Sequence, residues 1–202
     1  MRICIYGGTF DTPHIGHMHA CEAFLKSFSV DKMYIVPTST PPHKIRVSTV
    51  SGIDRLEMCK LAFSGLSDLI EVSDVELKRE GKSYTADTIR YFKNKGNEDI
   101  YLLCGTDMML TLDSWYNAKY ILTNAKIVCM RRENDEETEK RLKIKMIEYR
   151  EKYNTEAHIL ELDAIELSSS EIRERITTLS INGLITDGVM EYITKKGLYR
   201  KE

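Results

Sequence analysis

Apolar positions along this chain switch repeatedly between two periods. Residues 2–6 form a short β-prone run, residues 32–36 a second that Pro37 stops, and residues 69–72 a third. Residues 99–104 carry Ile-Tyr-Leu-Leu-Cys, the continuous apolar run of a strand buried on both faces. Residues 125–130 and 158–162 read as two more strands. Between them the apolar residues fall at helical spacing: Met18, Ala20, Cys21, Phe24, Leu25 and Phe28 in residues 16–28, and Leu56, Cys59, Leu61, Ala62 and Phe63 in residues 54–63. Residues 85–95 predict a helix that Gly96 caps, and residues 187–195 a closing helix that Gly197 stops. The run Ser168-Ser169-Ser170 supplies an N-cap for a helix over 171–178.

This β-α alternation predicts a Rossmann-like, doubly wound α/β fold, with a mostly parallel sheet covered by helices on both faces. The absence of a repeat or linker favours one domain over 1–202, with a small helical part from about 168 to 202. In such sheets ligands sit beyond the carboxyl ends of the strands, where the strand order reverses. One stretch, 133–156, is densely charged. Its apolar residues Leu142, Met146, Tyr149 and Tyr153 lie at helical spacing, which predicts a single amphipathic surface helix.

Composition adds limits. At 202 residues, with 42% hydrophobic and 30% charged residues, the chain is globular in character. Its 29 Lys+Arg against 31 Asp+Glu give a net charge of −2, which argues against a general nucleic-acid binder. No apolar run reaches the roughly 20 residues of a membrane span. The start runs directly into Gly7-Gly8 rather than into a secretory core, so cytoplasmic residence is expected. The five cysteines are widely spaced and mostly set in apolar runs, as buried reduced thiols would be.

The segment with the sharpest chemistry is Gly7-Gly8-Thr9-Phe10-Asp11-Thr12-Pro13-His14-Ile15-Gly16-His17, between a strand and a helix. The glycines are expected to let the backbone turn and approach a polyphosphate. The helix start offers unpaired N–H groups and the positive end of its dipole. His14 and His17, three apart, can point into one pocket and stabilise charge on a phosphorus centre under attack. The segment lacks the three spaced glycines of a dinucleotide fingerprint, and no Gly-Lys-Ser/Thr follows.

His14-Ile15-Gly16-His17 resembles the signature of the HIGH-motif nucleotidyltransferase superfamily, which class I aminoacyl-tRNA synthetases share. Leu167-Ser168-Ser169-Ser170-Glu171-Ile172-Arg173 resembles its second motif, Ile-Ser-Ser-Thr-x-Ile-Arg, with Leu for Ile and Ser for Thr. Further segments resemble the nicotinate-mononucleotide branch. Pro37-Thr38-Ser39-Thr40-Pro41-Pro42-His43-Lys44 follows its Pro-x-x-x-Pro-Pro-His-Lys, and Ser83-Tyr84-Thr85-Ala86-Asp87-Thr88 its Ser-Tyr-Thr-x-Asp-Thr. Gly105-Thr106-Asp107-Met108 and the lone Trp115 come after the buried strand.

The resemblance implies an enzyme that transfers the adenylyl group of ATP to nicotinate mononucleotide, releasing pyrophosphate, in NAD biosynthesis. By the same resemblance His14, His17, Lys44 and Arg173 are catalytic. ATP meets Gly7, Gly8, Thr9, Phe10, His14, His17, Gly105, Asp107, Ser168, Ser169, Ser170 and Arg173. The mononucleotide meets Thr9, His43, Lys44, Tyr84, Thr85 and Trp115, with Trp115 stacked on the pyridine ring. Magnesium is expected with ATP, without a metal site of the protein's own. No nucleic-acid or membrane partner is expected, and a homo-oligomer is left open.

The alternatives are pantetheine-phosphate adenylyltransferase, a cytidylyltransferase, or a catalytically silent nucleotide-binding module. The first two leave 83–88 and Trp115 without a role. A synthetase fragment fits least, because the chain has no Lys-Met-Ser-Lys-Ser loop.

Overall fold

The computed structural model describes residues 1–39, 50–131, 135–162, 168–177, 181 and 183–199. Six strands form one parallel sheet in the order β3-β2-β1-β4-β5-β6. They are β1 (Arg2–Gly8), β2 (Lys32–Pro37), β3 (Ile70–Val72), β4 (Asp99–Gly105), β5 (Lys126–Arg131) and β6 (Ala157–Glu161). Chain order reverses between β1 and β4, which places the ligand crevice at their carboxyl ends.

Side chains alternate along each strand, so the sheet divides the core in two. On one face Cys4, Tyr6, Leu103, Val128 and Met130 pack under α1 (Ile15–Ser27), α2 (Gly52–Phe63), α7 (Ser169–Thr177) and α8 (Asp187–Lys196). On the other Ile3, Ile5, Leu102, Ile127 and Cys129 pack under α3 (Thr85–Asn94), α4 (Thr106–Thr111), α5 (Ala118–Asn124) and α6 (Glu136–Tyr153). Doubly wound architecture was expected and is found. The five cysteines are all buried and unbridged. Among the described residues, no helix is long and apolar enough to cross a membrane.

The charged stretch forms α6, with Leu142 and Tyr149 fully buried and Met146 and Tyr153 packed beside them. It ends three residues short of 156, because Asn154 turns left-handed at φ 56°. Leu61, one of the apolar residues at helical spacing, is 38% exposed on α2. Gly96 caps α3 at φ 83°, and Gly197 caps α8 at φ 63°, as expected.

Candidate active site

Two half-sites meet above the carboxyl end of β1, one on each face of the sheet. On the α1 face, Gly7 and Gly8 are still extended strand residues. The expectation that they make the sharp turn is corrected: the chain turns at Phe10, which takes φ 50°. What the glycines provide is space. A Cβ on Gly7 would meet nothing within 4 Å, whereas one on Gly8 would come 3.1 Å from the Phe10 ring.

Phe10 itself is 2% exposed, so its ring supports the site from the core rather than lining it. Its edge contacts Tyr6 and, at 5.1 Å between centroids, His17. His14 caps α1 and His17 stands three residues later, with ring centroids 3.8 Å apart. Nδ1 of His17 accepts the His14 backbone N–H at 3.2 Å. An accepting Nδ1 carries no proton, which leaves Nε2–H as the outward donor.

The second motif closes this half-site. Ser168 accepts from the Glu171 amide and both its amide and hydroxyl donate to the Glu171 carboxylate, so it is the helix cap of α7. Ser169 Oγ donates to Thr12 O at 3.1 Å, and Arg173 donates to Ser170 Oγ at 3.0 Å. Arg173 also donates to Asp11 O and stands 3.7 Å from the Asp11 carboxylate. The Tyr199 hydroxyl donates to the other Asp11 oxygen at 2.6 Å, and burial beside that carboxylate pushes the phenol well up. Sequence reasoning gave Tyr199 no role, since a tyrosine in a C-terminal tail carries no local signal.

On the opposite face lies a cavity of about 330 Å³. Gly7, Gly8 and Thr9 form its edge toward the first half-site, and Tyr84, Thr85 and Trp115 line its wall. No side chain caps α3, whose first N–H groups have no intrahelical partner and start at that wall. The rings of Tyr84 and Tyr116 lie 4.3 Å apart at 35°. A wider hollow of about 730 Å³ follows α6 past Met146 and Arg150, and none of the motif residues reaches it.

Glu76 was missed by the sequence reading and also lines the cavity. It is 6% exposed and accepts Thr88 Oγ1 at 2.7 Å. Burial raises its pKa, while Thr88, Ser83 and two arginines hold that rise back. Gly105 and Asp107 stand at the end of β4, with Asp107 exposed, and neither lines the cavity. His43 and Lys44 lie outside the described residues.

A family model described as cytidylyltransferase-like matches residues 5–175. A Clostridium tetani protein named "Probable nicotinate-nucleotide adenylyltransferase" is 35% identical over 97% of this chain and 98% of its own. A Caldicellulosiruptor bescii protein of the same name is 32% identical over both full lengths. This chain belongs to the nicotinate-nucleotide adenylyltransferase family. The fold of Plasmodium falciparum nicotinic acid mononucleotide adenylyltransferase, solved with NaAD, superposes with a TM-score of 0.77 at 20% identity, covering 98% of this chain and 97% of that one.

Proposed function

We infer that this protein transfers the adenylyl group of ATP to nicotinate mononucleotide, giving nicotinate adenine dinucleotide and pyrophosphate, and so serves NAD biosynthesis. The observation that carries this reading is the meeting of an imidazole pair and an aromatic cavity over one strand end, with Gly7-Gly8-Thr9 between them. On one side the start of α1, whose Ile15 N–H is taken by Leu184 O, contrary to the expected unpaired N–H groups, presents the imidazole pair and its dipole to a triphosphate. A flat-walled cavity at an uncapped helix start on the other suits a pyridine carboxylate.

In the proposed reaction a phosphate oxygen of the mononucleotide attacks the α-phosphorus of ATP in line. A new P–O bond forms, the α–β bridge breaks, and its electron pair leaves with pyrophosphate. Positioning and stabilisation of spreading negative charge then supply the catalysis. His17 donates through Nε2 to the α-phosphate region, with His14 beside it. Arg173, with Ser169 and Ser170, holds the leaving pyrophosphate, which requires Arg173 to turn partly away from Asp11. Lys44 and His43 are assigned to the phosphate clamp by family pattern.

Magnesium is proposed to arrive on the triphosphate. The Asp11 carboxylate of this half-site is engaged by Tyr199 and Arg173, and the imidazoles, hydroxyls and guanidinium beside it suit phosphate oxygens rather than a metal cage. The test offers ATP with nicotinate mononucleotide, nicotinamide mononucleotide or phosphopantetheine, and measures pyrophosphate. Release with the first is expected to dominate; release led by phosphopantetheine would transfer the protein to the other branch.

A further inference from the structure

A line of buried polar groups crosses from one half-site to the other beneath the ligand crevice. It begins at Arg55, which is 2% exposed on the α1 face, in the core-facing row of α2. One guanidinium nitrogen donates to Thr9 O at 2.6 Å, in the phosphate loop. Another donates to Thr38 O at 2.6 Å, beyond the end of β2, and approaches Ser39 O at 3.4 Å. The Ser39 amide donates to Ser83 Oγ at 3.1 Å. The Ser83 hydroxyl bonds in turn to the Glu76 carboxylate, which also accepts Thr88 Oγ1. Thr88 belongs to the first turn of α3, whose start forms the cavity wall, and Arg79 ties Thr88 Oγ1 at 3.3 Å.

A guanidinium and a carboxylate buried in this way are costly, and well-packed apolar side chains of similar volume often serve stability as well or better. Their placement is directional instead. Each link ends on a carbonyl, amide or hydroxyl of a segment that meets one of the two substrates: Thr9 on the phosphate side, Thr38 and Ser39 at the crest, and Ser83 to Thr88 on the pyridine side. These bonds, 2.6–3.4 Å long and buried or part-buried, join the segments in sequence, so a segment fixed at one end restrains the next.

We propose that this relay couples the two substrate sites, with Arg55, Ser83 and Glu76 as positioning residues, so that ATP and nicotinate mononucleotide bind with positive cooperativity. The proposal rests on the adenylyl-transfer reading above. The first ligand bears the ordering cost of the shared loops, and the second meets them already ordered. By linkage the effect is reciprocal, and each substrate tightens the other by the same factor.

The experiment titrates the intact protein with α,β-methylene ATP, with and without saturating nicotinate mononucleotide, in the parent, Ser83→Ala and Glu76→Gln. In the parent the mononucleotide is expected to tighten the analogue at least about fivefold. In Ser83→Ala that factor, taken as the ratio of the two affinities measured on the same variant, falls close to one whatever the change in each ligand's own affinity. Glu76→Gln is near-isosteric and gives the same reading if Ser83→Ala does not fold. A factor of one in the parent, or an undiminished factor in a folded variant, overturns the relay. Dinucleotide formation by the parent is measured alongside. No product would undo the functional reading, whereas product with unlinked binding undoes the relay alone.

Discussion

The backbone amide of His14 donates to Nδ1 of His17 at 3.2 Å, across the first turn of α1. This bond fixes both the tilt and the tautomer of the second ring, while the Phe10 edge supports it from below. The ring proposed to act on the triphosphate is therefore held in place by the protein's own contacts.

The first prediction concerns that ring. His17→Ala is expected to lower kcat about a hundredfold, near 3 kcal/mol of barrier, because one charge-stabilising donor is lost. His17 is only half-buried, so the melting temperature should move little. Steady-state rates and a melting curve on the same preparation check both halves, and turnover equal to the parent's would remove His17 from the mechanism.

The glycine pair should separate folding from binding. A methyl on Gly7 meets open space at the cavity edge, so Gly7→Ala is expected to melt at or slightly above the parent temperature. The same methyl occupies room meant for ligand, and KM should rise about tenfold or more. Gly8→Ala forces the Phe10 ring to give way and should cost about 1 kcal/mol of stability. Identical behaviour of the two variants would contradict this assignment of space.

Tyr199 holds Asp11 from the C-terminal side at 2.6 Å. Tyr199→Phe removes a hydrogen bond to a charged group, which is expected to cost about 2 kcal/mol. For a chain of this size that lowers the melting temperature by about 4–8 °C. Asp11 also meets Arg173, so KM for ATP should shift more than KM for the mononucleotide. A shift confined to the mononucleotide would argue that the tail serves the other half-site.

Much of this arrangement was legible in the sequence, and the gaps have physical causes. Strands and long helices declared themselves, because β4 is an unbroken apolar run from Ile100 to Cys104 and α6 repeats its apolar residues from Leu142 to Tyr153. Residues 106–124 did not. They hold α4, a 3-10 turn at Leu112–Ser114 and α5, none longer than seven residues, too short to show a period. The motif segments put Tyr84, Thr85 and Trp115 on one cavity wall and His14 beside His17, whereas Gly105 and Asp107 fall outside that cavity. Arg55 and Glu76 stayed hidden, because a lone charged residue reads as solvated until the fold shows what surrounds it.

Glu76 supplies a pH prediction. Burial holds its carboxyl above the ordinary value of 4.5, so the native state keeps a proton that the unfolded chain has released. Native stability from this group therefore falls as pH rises from the unfolded value through the folded one. Glu76→Gln removes that slope. The melting temperature of the variant minus that of the parent should grow as pH rises above the ordinary carboxyl value of 4.5. A difference that shrinks over that range would mean the carboxylate is stabilised in place.

β1 is hydrogen-bonded along both edges, to β2 and to β4, and its side chains reach both halves of the core. A strand so enclosed opens only when the whole domain opens. In deuterium exchange, the amides of Ile3 to Tyr6 should thus be among the last to label, whether or not nucleotide is present. The loop after β1 is rooted in a strand held on both edges, so on the proposed function any adjustment to substrates falls to the segments around it.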